Sequence, residues 1–398
     1  MSVSGLSPTY SSLSSRRPRN RNRRLQIMLV VGLVGTFFVI VAGSAWALGQ
    51  DLDSTGGEIQ IESAPLLTDP LRNERSFRIF LLGDTGGVPI FETTWAQVAV
   101  KNSLERMAAE KDVQMVLNMG DNIYFTGPVD EFDYRFETRF ENVYNSPHLN
   151  VPWLTIAGNH DHFGNVTAEI EYTRRSFKWY FPSLYYKKTI EFNSSSIDFV
   201  MIDTISLCGN TRDIQNAGFF DMMLAASHHP QGPINATEAD VQWEWIEEQL
   251  KNSRAQYLIV GGHYPMHSVS SHGPTDCLQQ TLDPLLKKYR VSAYFSGHDH
   301  SLQHFVFPAS DDHNIHYIVS GAASRSDASD KNRKKYSSSN FLKKYPESRF
   351  SWSPLSQLGL RKGGFIYMEF GHENADFSFF DKDSNLQYSS SIPARTIS

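Results

Sequence analysis

Five times in this chain of 398 residues a short apolar run ends on glycine, and a residue able to bind a metal follows. The five are Gly83-Asp84, Gly120-Asp121-Asn122-Ile123-Tyr124, Gly158-Asn159-His160-Asp161, Gly261-Gly262-His263 and Gly297-His298-Asp299-His300. Short apolar runs bounded by Gly, Asp or Asn read as strands. Glycine lets the backbone turn sharply where such a strand ends. Side chains at the carboxyl ends of neighbouring strands converge, as binding sites in open α/β sheets do. A lone Gly-Asp is an ordinary turn. Five motifs in succession, each behind a strand, call for a sheet protein with one shared site.

The strands expected are Phe77–Leu82, Val113–Met119, Trp153–Ala157, Asp198–Asp203, Tyr257–Val260, Val291–Phe295, His316–Val319, Phe365–Phe370 and Phe377–Phe380. Helical spacing of apolar residues falls between them, over Thr94–Glu110, over Glu238–Lys251 with Thr237 as N-cap, and over Thr275–Lys288 with Pro284 as a kink. Alternating strands and helices make the class α/β. Residues 323–358, rich in Ser and Lys, read as a long surface loop. No internal repeat is present.

The motifs collect carboxylates, imidazoles, an amide oxygen and a phenol. Such hard oxygen and imidazole donors suit Fe, Zn or Mn better than Ca or a thiolate-bound metal. Seven ligands with one shared carboxylate hold two metals, and a metal pair about 3.5–4 Å apart clamps the attacking and leaving oxygens of a phosphoryl displacement.

The N-terminus sets the compartment. Residues 1–24 are polar and Arg-rich and read as a disordered cytoplasmic tail. Leu25–Leu48 follows, 24 residues without a charge, long enough to cross a hydrocarbon core of about 30 Å as a helix. The six arginines before it orient it with the tail in the cytoplasm, giving a single-pass type II protein. The alternative is a secretory signal cleaved after Ala45-Trp46-Ala47, leaving a secreted or lysosomal protein. Residues 49–75 read as a stalk and 76–398 as the catalytic domain. Beyond residue 50 the chain carries 31 basic and 43 acidic residues, a net charge of −12, which argues against nucleic acid as partner. Sequons at Asn165, Asn193 and Asn235 agree with export. Two cysteines, Cys208 and Cys277, are too few for a disulfide scaffold. They pair in an oxidising compartment or remain two buried thiols.

The order GD, GDxxY, GNHD, GHxP, GHxH resembles the metallophosphoesterase superfamily, with its calcineurin-like fold of two mixed sheets in a sandwich flanked by helices. The tyrosine of GDxxY narrows the resemblance to purple acid phosphatases. Asp121–Gly127 (DNIYFTG), Val151–Val166 (VPWLTIAGNHDHFGNV), Leu207–Asn210 (LCGN) and His272–Leu278 (HGPTDCL) look like the small mammalian-type, tartrate-resistant group. The resemblance runs from about Phe77 to Asp381. It implies that Asp84, Tyr124 and His300 bind Fe(III), that Asn159, His263 and His298 bind a second divalent metal (Fe, Zn or Mn), and that Asp121 bridges them. It implies that His160 and His272 are catalytic and face the substrate, and that Cys208 and Cys277 form a disulfide. The reaction implied is hydrolysis of phosphate monoesters at acidic pH, a metal-bound hydroxide attacking phosphorus in line. Substrates would be small phosphate esters or phosphoproteins, met by a monomeric catalytic domain. Thr85 departs from the tryptophan usual in the family's first motif, and 211–234 departs from the loop that restrains access to the site. Asp161 and Asp299 are expected to orient imidazoles. His162, His267 and His304 are left outside the metal-binding set, and His228-His229 reads as a solvated pair.

Overall fold

A computed structural model of the chain describes residues 74–87, 92–211, 229–347 and 359–396. The tail 1–24, the apolar segment 25–48 and nearly all of the stalk 49–75 lie outside the described residues. So does most of the loop 211–234, His228 included. No helix among the described residues is long and apolar enough to cross a membrane.

Among the described residues fourteen strands build two sheets of seven. The first runs β14 (Leu386–Pro393), β13 (Asn374–Asp381), β12 (Gly364–Phe370), β1 (Phe77–Leu82), β2 (Met115–Asn118), β3 (Trp153–Thr155), β4 (Trp179–Tyr180). The second runs β11 (Phe341–Tyr345), β9 (Leu302–Ser310), β10 (His313–Ser320), β8 (Ala293–Ser296), β7 (Tyr257–Gly261), β6 (Ser195–Met201), β5 (Tyr186–Phe192). Both are mixed. β1 to β4 are mutually parallel and β12 to β14 antiparallel. In the second sheet β6, β7, β8 and β10 are parallel, with antiparallel strands outside them.

The parallel blocks are buried on both faces, so their strands are continuous apolar runs. Alternation decides which face each side chain takes. Ile197, Phe199 and Met201 pack inward against the first sheet, where Phe199 and Phe370 stand 6.1 Å apart edge to face. Val200, Ile202, Leu258 and Val260 point outward. They are covered by Ile246 and Leu250 of the helix Ala236–Asn252 and by Leu282 and Leu286. Trp95–Lys111 covers the outer face of the first sheet through Val100, Leu104 and Met107. Its N-terminus is a capping box between Thr94 and Gln97.

All nine expected strands are present, with ends shifted by up to three residues. The five not anticipated are β4, β5, β9, β11 and β14. Four of these are the sheet edges. Three of them carry polar residues that block further pairing, Lys187 and Lys188 in β5, Lys343 in β11 and the serines of β14, while β4 is only two residues long. That chemistry erases the apolar signal. The helix at 236–252 is capped by Asn235, whose Oδ1 accepts from the Glu238 N–H at 3.3 Å, not by Thr237. The third expected helix opens at Asp276 and Cys277, passes through a π-helical turn, Leu278–Leu282, and continues as α over Asp283–Lys288 with Pro284 in that segment's first turn. Residues 323–358 are not a surface loop throughout. Ser324 to Asp327 are buried, and β11 lies within the range.

Cys208 and Cys277 form a disulfide across 69 residues. It ties the helix Thr204–Cys208, which follows β6, to the segment just after His272. All three sequon asparagines are exposed. Removing the bridge with Cys208→Ser and Cys277→Ser together is expected to lower unfolding free energy by about 2–4 kcal/mol, since a long loop of the unfolded chain is released. Urea unfolding of the exported protein under oxidising conditions measures it.

Candidate metal centre

The five motifs do converge. Asp84 follows β1, Asp121 follows β2, Asn159 follows β3, His263 follows β7 and His298 follows β8. Asp84, Asp121 and His298 hold φ values of 60°, 55° and 66°, in the left-handed region that non-glycine residues rarely occupy. Backbone held there by its surroundings is a mark of functional sites.

The side chains fall into two groups joined by one carboxylate. In the first, the Tyr124 hydroxyl donates to Asp84 Oδ1 at 2.8 Å and to Asp121 Oδ2 at 3.0 Å. His300 Nε2 lies 3.3 Å from both the Tyr124 hydroxyl and Asp84 Oδ1. In the second, Asn159 Oδ1 sits 3.1 Å from His263 Nε2 and 3.1 Å from His298 Nδ1. Asp121 Oδ1 is 3.4 Å from His263 Nε2. Each oxygen of Asp121 therefore faces a different trio. Among the described residues Asp121, His263 and His298 bring one ligand atom each within 4.8 Å of one another.

The rings are oriented from behind. His263 Nδ1 lies 2.7 Å from the Met119 carbonyl, which leaves Nε2 and its lone pair to the site. His160 Nδ1 lies 2.7 Å from the Phe125 carbonyl, and its Nε2 stands 3.9 Å from Asp121 Oδ2. The His272 ring lies 4.2 Å from that of His298, and its buried Nδ1 has no hydrogen-bond partner. Asp161 and Asp299 correct the expectation placed on them. Neither holds an imidazole. Asp161 accepts the backbone N–H groups of Asn122, Ile123 and Gly158 at 3.0, 3.1 and 2.7 Å. Asp299 accepts those of His272 and Gly273, each at 3.1 Å. Each aspartate ties one ligand loop to another.

The charges fit cations. Burial, then the neighbouring Asp121, pushes the Asp84 carboxyl well above the usual range. Burial and the same two carboxylates raise Tyr124 well above the usual phenol. Burial would also raise Asp121, but His263 and His160 outweigh it and hold it low. Burial opposes a charged His263, yet Asp121 carries it up to about 9. Burial lowers His298 and His300 far below the imidazole range. So many ionisable groups packed together reach a common charged state only with positive charge among them, and the oxygen and imidazole donors suit iron, zinc or manganese. Burial takes His160 down to about 4, so its cation exists only in strong acid unless an anion joins it.

Among the residues left outside the set, His162 Nε2 pairs with Asp203 at 3.1 Å. His267 stacks on Phe307 with ring centroids 4.3 Å apart. His304 is buried against His316 and Tyr388. His229 is exposed. Sequence reading missed Arg325, which lies with its guanidinium 4.0 Å from the Tyr124 ring centroid and its Nε 3.3 Å from His300 Nε2. The available signal was Ser320-Gly321, the end of an expected strand; no metal-ligand residue follows it, so it drew no notice.

The description of calcineurin-like phosphoesterases matches residues 77–302. Tartrate-resistant acid phosphatase type 5 of Rattus norvegicus is 35% identical over 342 residues, covering 85% of this chain and 96% of that protein. Purple acid phosphatase 17 of Arabidopsis thaliana is 27% identical over 313 residues, covering 79% and 83%. Among solved structures, GAP50, the anchor in the inner membrane complex of Plasmodium, aligns with a TM-score of 0.62 at 19% identity, over 81% of this chain and 90% of that one. This last likeness speaks to the fold alone.

The His162–Asp203 pair gives the region a pH window. Burial works against both charges, but each partner's charge prevails, so Asp203 is lowered from 3.8 and His162 raised from 6.5. Asp203 stabilises the fold above 3.8, an effect lost as pH falls through its lower folded value. His162 stabilises it below 6.5, an effect lost as pH rises through its raised folded value. Asp203→Asn should therefore cost most between those two values, with a smaller deficit on either side. Urea midpoints of both proteins across that range check it; a deficit that grows steadily into alkali would contradict the pairing.

Proposed function

We propose a reaction from the premise that this chain belongs to the calcineurin-like phosphoesterases and, within them, to the purple acid phosphatases. It is an acid phosphatase, hydrolysing phosphomonoesters at a dimetal centre. The observation that carries the finer reading is the division of labour at Asp121, whose two oxygens face separate trios. In this reading Asp84, Tyr124 and His300 hold Fe(III). Asn159, His263 and His298 would hold a divalent ion, Fe, Zn or Mn, with Asp121 shared between the two trios. Bound there, the two ions supply positive charge to polarise the phosphoryl group and to activate a water for in-line attack.

The chain's own residues do the rest. Tyr124 is the donor that selects iron, since its phenol, held high by burial and two carboxylates, ionises only for a strongly charged ion. His160 and His272 stand on the open side of the two trios. His160 has Nδ1 anchored on Phe125 and Nε2 turned to the site, where it meets the phosphoryl oxygens. His272, with an unpartnered Nδ1 beside His298, assists departure of the alkoxide. Asp161 and Asp299 keep the loops in register. Substrates are small phosphate esters or phosphoproteins.

The same reading takes 76–398 as the catalytic domain, exported, glycosylated at Asn165, Asn193 and Asn235, and held to the membrane by Leu25–Leu48. The disulfide supports an oxidising compartment.

Residues 51–398 expressed through a secretory route should carry two metal ions, one of them iron, show a visible tyrosinate-to-iron band, and hydrolyse a generic phosphomonoester best in acid. A colourless protein with two zinc ions and an alkaline optimum would refute the iron reading. Asp121→Ala should retain at most one ion and lose activity by about 10³-fold or more, as for removal of a group that stabilises transition-state charge. Full metal content in that variant would remove the bridging role.

A further inference from the structure

Arg325 is the charged side chain of this site that neither trio uses. It is 7% exposed, and no salt bridge joins it to a carboxylate among the described residues, although its charge acts on the buried Asp84 and on the Tyr124 phenol. Its guanidinium lies over the face of Tyr124 at 4.0 Å and over Phe125 at 5.5 Å. An arginine held this deeply beside the two trios presents N–H donors that a phosphoryl anion can accept.

Its position is built, not incidental. Arg325 stands beyond the end of β10, which runs parallel to β8 and β7, the strands that precede His298 and His263. Ser324, just before it, donates through Oγ to the Asp84 carbonyl at 2.5 Å. The Asp327 N–H, two residues after, donates to the His300 carbonyl at 2.6 Å. The Thr94 hydroxyl is hydrogen-bonded to the Ser324 carbonyl. The segment is thus stitched to the backbone of two residues of one trio.

One contact shows where the guanidinium is free to go. Arg325 Nε–H donates to His300 Nε2 at 3.3 Å, and that lone pair is the one a metal would take. One lone pair serves one partner. With a metal on His300, the Arg325 donors turn to whatever lies on the open side of Tyr124, where the His160 ring is 4.5 Å from the Tyr124 ring and the His272 ring 6.2 Å from His300. His160 and His272 thus each stand beside a member of the trio that Arg325 itself touches.

We propose that Arg325 is a substrate-binding and specificity-determining residue, donating a forked pair of N–H groups to the phosphoryl oxygens of the substrate and of the phosphate product. The planar fork of arginine matches two oxygens of a tetrahedral phosphoryl group in a way lysine does not. The residue sets the preference for dianionic phosphomonoesters over diesters, whose phosphoryl group offers fewer charged oxygens. The proposal rests on the phosphatase reading above.

The test compares wild type, Arg325→Lys, Arg325→Gln and Arg325→Ala as metal-loaded, exported protein. The readouts are metal count, visible spectrum, calorimetric affinity for inorganic phosphate, and kcat and KM on a monoester and a diester. For Arg325→Ala and Arg325→Gln, KM for the monoester and the Kd for phosphate should each rise about tenfold or more, the loss of hydrogen bonds to a charged group. Metal count and the visible band should stay, diester turnover should change little, and Arg325→Lys should recover part of the loss. Unchanged phosphate affinity with metals in place overturns the proposal. So does loss of metal in step with loss of activity, which makes Arg325 a prop for the trio. Arg325→Gln and Arg325→Lys, close in length to arginine, decide the matter if Arg325→Ala fails to fold. A wild type inactive on every phosphomonoester sinks the phosphatase reading itself, whereas an active wild type with indifferent variants sinks only this one.

Discussion

A carboxylate whose two oxygens face different trios of side chains has to be held from every side, and Asp121 is. It is buried, its backbone is left-handed at φ 55°, and its Oδ1 accepts the His160 N–H at 3.0 Å. Gly158 lies against it so closely that a Cβ there would stand 2.1 Å from Oδ1. This contact depends on β2 and β3 being parallel neighbours in a register that sets Asn118 beside Thr155, so that both loops leave the sheet at the same level. A one-residue slip would turn each strand over and remove the ligands from the site.

Buried carboxylates also hold the loops in place. Asp161 takes three backbone N–H groups from the two loops around Asp121, and Asn122 Nδ2 joins it to Glu169 at 2.8 Å. Burial, followed by the charge of Asp121, pushes Asp161 up to about 6, and burial raises Glu169 as well. The cluster works as scaffold: apart from Asn122 Nδ2, the donors to Asp161 are main-chain groups, which need a partner once buried. Asp299 does the same for the loop carrying His272, while the disulfide secures that loop from its other end. The site is thus suspended between two sheets by hydrogen bonds whose acceptors are one or two residues from the ligands themselves.

Much of this was legible in the chain. The nine strands of the sheet interiors are apolar runs because both faces are covered, and burial on both faces is what an apolar run records. The edges β5, β11 and β14 were not legible because an edge strand is kept from aggregating by the polar residues that hide it, and β4 because it is only two residues long. The seven candidate ligands were legible because five sit immediately after a glycine at a strand end, and Tyr124 and His300 follow within the same motifs. The roles of Asp161 and Asp299 were misjudged for the converse reason: adjacency to a histidine suggested a side-chain partner, whereas the turn aims each carboxylate back at the main chain.

By itself the sequence determined the inventory and its order: which residues can bind a metal, that they follow strands, and which family pattern they resemble. The family resemblance also implied a division of that inventory into two trios about Asp121. Only the tertiary structure decided the contacts that no motif names: the stacking of Arg325 on Tyr124 and the pairing of His162 with Asp203 join residues 201 and 41 positions apart in the chain. Both are contacts between loops that leave different sheets. Local preference encodes the end of a strand. Which ends meet is settled by the packing of two twisted sheets, a property of the whole core that no single motif carries.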